Sequence, residues 1–247
     1  MKKRILYRLL WIKGIVKNFI RTNKINFVED KYPGYINYIN KLNQGGAMGG
    51  RKAFPWRALE QIRVLNIVNP SSIVEFGSGT STALFFDYLN SSESSKDSLS
   101  MISYDESEKY ATLTQNSINE YISAENKFLS IKHASKKIDS SGSYYDIDHN
   151  INCDLVYIDG PTVEIINSSK TANQDILKMF KNNNFPNAIM IDGRIHTAQA
   201  ILDEYPDKYK FFPSAYYSLH SSKNFFSNAF NILFSPYERH SLFIKNK

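Results

Sequence analysis

Apolar positions along this chain recur in two rhythms. Ile5, Leu9, Ile12, Val16 and Phe19 fall three or four residues apart, with Lys13, Lys17, Arg21 and Lys24 on the opposite side, which predicts a basic amphipathic helix. Pro33 opens a shorter predicted helix through Leu42. A stretch with four glycines, Gln44 to Gly50, follows as a lid or linker. Pro55 starts another helix, with Leu59, Ile62 and Leu65 on one face. From residue 72 the rhythm changes to short apolar, β-branched runs. Ser72–Phe76, Ser100–Tyr104, Phe128–Lys132, Cys153–Ile158 and Asn187–Ile191 read as strands, with helical patterns between most of them. Asn90–Ser98 reads as a surface loop and Asp139–Asn152 as an irregular insertion. Lys210–Leu219 and Ala229–Phe234 read as two last strands pairing antiparallel.

This order predicts an α/β fold, a doubly wound, Rossmann-like, seven-stranded and mostly parallel sheet with a C-terminal antiparallel hairpin and an N-terminal helical extension. The expected division is an extension over residues 1–52 and an α/β domain over residues 53–247. At 247 residues and 42% hydrophobic content, one domain can bury a sizeable core.

Charge changes the picture less than its total implies. The chain carries +6, but residues 1–24 hold eight basic residues and no acid, which leaves −2 for the rest. A nearly neutral body lacks the basic face a nucleic acid would require. The basic helix can lie on an anionic membrane surface, on a partner or second subunit, or on its own domain. Arg8, Lys13 and Lys17 interrupt its apolar run, so neither a spanning helix nor a signal peptide is expected. Cys153, the single cysteine, lies in an apolar run and reads as a buried strand residue; one cysteine permits no disulfide framework and no zinc spacing. A reducing cytoplasm fits, with peripheral contact at the inner face of the membrane as a further expectation.

Candidate chemistry gathers at strand ends. Glu75-Phe76-Gly77-Ser78-Gly79-Thr80-Ser81-Thr82 joins the first strand to a helix through a turn in which two glycines let a ligand approach the backbone. Asp105, Asp159 and Asp192 end three further strands. In a doubly wound sheet all four acids converge on one cleft, since ligands bind outside the carboxyl ends of the strands. A dinucleotide fingerprint wants Gly or Ala where Thr82 stands, which turns the reading away from a nicotinamide cofactor.

Glu-x-Gly-x-Gly at the end of a first strand resembles motif I of the class I S-adenosylmethionine-dependent methyltransferases, and the likeness extends over about residues 53–236. The resemblance implies S-adenosylmethionine as cofactor. Glu75, Gly77, Ser78, Gly79 and Ser81 would line its methionine side, Asp105 its ribose, and Asp159 the region of the sulfonium. It implies O-methyl transfer to a sugar or other small molecule, of the kind found in surface-polysaccharide or natural-product synthesis. Asp159, Asp192 and His196 are candidates to take the proton of an acceptor hydroxyl, and Arg194 to bind an acidic acceptor or to neutralise the two aspartates. Asp159 and Asp192 also resemble the paired acids of cation-dependent O-methyltransferases. A divalent metal is the lesser alternative, because Gly193-Arg194 brings a positive charge to the place. The competing readings are an NAD-dependent oxidoreductase on the same sheet and a membrane-docked scaffold with a vestigial cleft.

Overall fold

The computed structural model describes residues 3–13, 30, 32–44, 55–91, 99–121, 128–166, 169–220, 224–235, 237 and 239–246. Residues 14–29, the Gly-rich stretch 45–50, Arg51 and residues 92–98 of the expected surface loop lie outside them. Helix α1 covers residues 3–13. Then follow α2 (Tyr35–Gln44), α3 (Pro55–Val68), β1 (Ser72–Phe76), α4 (Thr80–Ser91), β2 (Ser100–Asp105), α5 (Glu108–Tyr121) and β3 (Leu129–His133). A small sheet comprises β4 (Lys136–Asp139), β5 (Gly142–Tyr145) and β9 (Ala172–Asn173), while β7 (Ile165–Ile166) and β8 (Ser169–Lys170) pair apart. Between them runs β6 (Leu155–Ile158). The chain ends with α6 (Asp175–Lys181), β10 (Ala188–Asp192), α7 (Ile195–Glu204), β11 (Tyr209–Phe212), α8 (Ala215–His220), α9 (Phe225–Phe234) and β12 (His240–Lys245).

The main sheet has seven strands in the order β11-β12-β10-β6-β1-β2-β3. Neighbours from β10 to β3 are parallel, and β12 runs antiparallel to both β10 and β11. The continuous apolar runs are explained by cores on both faces. Ile73, Leu155, Tyr157, Ala188, Met190 and Leu242 face one core with α2, α3, α4 and α5. Val74, Phe76, Val156, Ile158, Ile189 and Ile191 face the other with α6 and α7. Alternate residues of one strand point to opposite faces, so a strand covered twice is apolar except where a polar side chain finds partners inside, as Glu75 and Ser103 do. The sheet reverses its winding between β1 and β6, where β1 leads to β2 on one side and β6 to β10 on the other.

Three expectations change. The antiparallel pair at the sheet edge is β11 with β12, joined through two helices and not a hairpin. Ala229–Phe234, read as a strand, belongs to α9. Asn224 caps this helix by accepting from the Phe226 N–H at 2.9 Å, and Phe225, Ala229 and Ile232 turn inward at helical spacing. The irregular insertion expected over Asp139–Asn152 begins inside a β-hairpin of residues 136–145, and only residues 146–152 are irregular. Asp139 Oδ1 accepts from Ser141 N–H at 2.8 Å and Gly142 N–H at 3.1 Å, a turn that its serines and glycine favour.

The extension is not one separate body. Tyr32, Tyr35, Tyr38, Ile39 and Leu42 of the α2 region are buried in the same core as α4 and α5. Helix α1 joins α8 and α9 in a third cluster, with Leu6 packed against Ala215, Leu219 and Ile232. Its inward face is shifted from the predicted stripe. Ile5 and Ile12 are exposed, while Lys13 is buried and its Nζ donates to the Ser235 carbonyl at 2.9 Å. The predicted positions Val16, Phe19, Lys17, Arg21 and Lys24 lie outside the described residues.

Candidate active-site cleft

The turn after β1 is held from three sides. Glu75 is fully buried, and its carboxylate accepts from Thr82 Oγ1 at 2.6 Å, from Ser103 Oγ at 2.6 Å and from Ser81 Oγ. Register explains the Ser103 contact, since Glu75 and Ser103 are partners on adjacent parallel strands and share a face. Burial raises the Glu75 carboxyl to about 7, against the pull of the three hydroxyls. Thr82 Oγ1 also accepts from the Gly79 N–H at 2.8 Å. The residue that departs from the dinucleotide fingerprint thus clamps the loop. From α2, Tyr35 Oη donates to the Thr80 carbonyl at 2.8 Å and Tyr38 Oη to the Gly79 carbonyl at 2.7 Å.

The two glycines serve different ends. Gly77 has a φ of +101°, and a Cβ there would stand 2.6 Å from the Gly160 nitrogen. It lets the turn after β1 pack against the turn after β6. A Cβ on Gly79 would meet nothing within 4 Å. Among the described residues, a side chain at Gly79 would therefore have room that one at Gly77 would not.

Beside that space, Ser78 Oγ donates to Asp105 Oδ2 at 2.9 Å, and Asp105 Oδ1 accepts from the Ser107 N–H at 2.9 Å at the start of α5. Asp105 thus combines a turn role with a place beside the Gly-rich loop. Burial raises its carboxyl despite these bonds. Glu106 ties the far wall by accepting from the Thr162 N–H at 3.0 Å.

The other candidate residues divide sharply. Asp159 follows β6, and 43% of its side chain is exposed, so its carboxylate meets solvent. Withdrawal from bulk water and the nearby Asp192 raise its pKa, against the pull of Arg194, Arg239 and Arg57. Asp192 is buried with one oxygen 3.3 Å from Arg57 Nη1 and the other accepting from Arg239 Nε. Burial works against its charge, but His240, Arg239 and Arg57 outweigh it and hold the carboxyl below its ordinary value. Arg194 donates to the Pro161 carbonyl at 2.5 Å and to the Asp159 carbonyl, and its Nη2 lies 3.9 Å from Asp159 Oδ1. Its guanidinium fastens the turn after β6. His196 is exposed on α7, with its pKa lowered by partial burial and by Lys170. Glu75 and Ser81 turn into the interior and Asp105 is buried beneath Ser78, whereas Ser78 is half-buried and Asp159 exposed.

A buried network beneath Asp192 was not foreseen. Glu60 on α3 accepts from His240 Nδ1 at 2.7 Å, and His240 Nε2 lies 3.3 Å from Tyr157 Oη. Burial disfavours the imidazolium, but Glu60 and Asp192 outweigh it and raise the His240 pKa. Such a link between residues 180 positions apart leaves no local pattern. For a cation the residues present do not fit: two guanidiniums hold Asp192, and no cluster of three metal-binding side chains occurs among the described residues. A Cβ on Gly193 would stand 3.1 Å from Arg239 Nε, so the small residue after Asp192 makes room for an arginine. Cys153, expected as a buried strand residue, is half-buried and precedes β6, and burial pushes its thiol up to about 12. A separate cavity of about 240 Å³ opens beside Cys153, Asp154 and Asn187, at the opposite edge of the sheet from these acids.

No protein-family model matches the chain. No curated protein matches it either. Among solved structures, the S-adenosylhomocysteine-bound Podospora anserina methyltransferase PaMTH1 is similar at 9% identity, with 94% of this chain and 96% of that one covered and a TM-score of 0.57. A putative O-methyltransferase from Klebsiella pneumoniae (9% identity, 87% and 90% covered, TM-score 0.49) and an O-methyltransferase from Bacillus cereus (13%, 90% and 96%, 0.48) are more distant in shape. At such identities the likeness is one of fold, and the fold of this chain is the Rossmann-like α/β fold of PaMTH1.

Proposed function

We propose that the protein is an S-adenosylmethionine-dependent methyltransferase acting on a hydroxyl of a sugar or other small molecule. The observation that carries this reading is the open space over Gly79, bounded by Ser78 and Asp105, at the place where the sheet reverses its winding. Backbone without a side chain at Gly79 and an acid one strand away fit a ligand with a ribose and a charged amino-acid end. The S-adenosylhomocysteine bound to PaMTH1 supports the same choice on the same fold.

In this reading the cofactor supplies the methyl group as a sulfonium, and the chain supplies position and proton transfer. Gly79 admits the amino-acid end, and Asp105 accepts from ribose hydroxyls. Asp159, the candidate carboxylate that meets solvent, takes the proton of the acceptor hydroxyl. Asp192, Arg57 and Arg239 hold the charge balance behind it.

Titration calorimetry with S-adenosylhomocysteine and with NAD tests the assignment. Binding of S-adenosylhomocysteine alone, lost in Gly79→Val, is expected. Binding of NAD with no S-adenosylhomocysteine signal would assign the cleft to an oxidoreductase, and binding of neither would favour a scaffold.

A further inference from the structure

We infer that α1 and α9 together form a docking surface for an anionic membrane. Phe226, Phe230 and Phe234 recur at every fourth position of α9 and are 78%, 62% and 67% exposed. Leu233 beside them is 40% exposed, and the helix carries no charged residue. Helix α1 packs on α8 and α9 through Leu6, Leu9 and Leu10 and adds Trp11, Ile12, Ile5 and Tyr7 to the exposed apolar set. Exposed aromatic side chains in this number on two packed helices are disfavoured in water and suit the headgroup boundary of a bilayer.

Charge selects the occupant. Lys3, Arg4 and Arg8 are exposed on the same helix, none of them is paired with an acid among the described residues, and residues 3–13 hold no acid at all. An apolar face beside unneutralised cations matches anionic headgroups, which attract each cation near the surface, better than it matches a second copy bearing the same positive charge. Among the described residues no helix is long and apolar enough to cross a membrane, so the contact is interfacial. The surface also connects to the cleft. Tyr7 packs on His220, His220 on Tyr216, and the Arg239 guanidinium that holds Asp192 lies 5.7 Å from the Tyr216 ring. The inference rests on none of the cofactor assignments.

Co-sedimentation of the full chain with vesicles tests it. Phosphatidylcholine vesicles containing phosphatidylglycerol are expected to bind the protein, with phosphatidylcholine alone at least about tenfold weaker and added salt lowering the binding. Phe226→Ser/Phe230→Ser/Phe234→Ser and, separately, Lys3→Glu/Arg4→Glu/Arg8→Glu should each lower partitioning by at least about tenfold, with thermal unfolding unchanged because every replaced side chain is exposed. Where a variant does unfold, quenching of wild-type tryptophan emission by brominated lipid, lost in Trp11→Phe, keeps the test open. Equal partitioning of wild type and variants would overturn the proposal. So would vesicle-independent dimerisation that the triple serine variant abolishes, since that would give the face to a second copy.

Discussion

At the scale of single residues, the Gly-rich turn separates two kinds of glycine that look alike in sequence. Gly77→Ala forces a Cβ against the Gly160 backbone at a φ of +101° and should lower unfolding stability by at least about 2 kcal/mol, measured by urea denaturation. Gly79→Val projects into open space and should leave stability within about 0.5 kcal/mol while abolishing S-adenosylhomocysteine binding. Glu75 sets a pH dependence. Its folded pKa, about 7, exceeds the ordinary value of 4.5, so the folded state binds the extra proton and stability falls as pH rises from about 4.5 to about 7. The span corresponds to something on the order of 3 kcal/mol, and Glu75→Gln should remove that slope from urea melts across this range. Asp159→Asn should slow methyl transfer to an accepted hydroxyl by about a hundredfold or more with S-adenosylhomocysteine binding retained. The raised pKa of Asp159 places the acidic limb of the rate profile closer to neutrality than an ordinary aspartate would.

At the scale of elements, what was legible in the sequence was what is local. The strand, turn and helix around Gly77 and the strands ending at Asp159 and Asp192 all announce themselves within about ten residues. Which side chain reaches the cleft was not legible, because neither the strand alternation that turns Glu75 inward to Ser103 nor the guanidiniums on Asp192 belong to the same stretch of chain. Helix α9 was misread because Ala229–Phe234 is dense in apolar residues, and exposed phenylalanines obscured the inward period of Phe225, Ala229 and Ile232. Helix α2 reaches the Gly-rich loop through the Tyr35 and Tyr38 hydroxyls, contacts more than 40 residues apart in sequence that no local pattern announces. Tyr38→Phe should weaken S-adenosylhomocysteine binding severalfold, and Leu42→Ala should cost about 2–5 kcal/mol of stability.

At the scale of the whole molecule, the sheet sets where chemistry can occur. Its switch between β1 and β6 opens a cleft whose walls come from turns after β1, β2, β6 and β10, and cores on both faces keep those turns fixed. The fold is shared with PaMTH1, and in this chain two arginines on Asp192 and the Glu60–His240 pair tie β10 and β12 to α3. A crystal structure of the protein grown with S-adenosylhomocysteine tests the central claim most directly. Electron density is expected over Gly79, with the ribose hydroxyls bonded to Asp105 and the sulfur directed toward Asp159. Density lying elsewhere, or a ribose held away from Asp105, would contradict it.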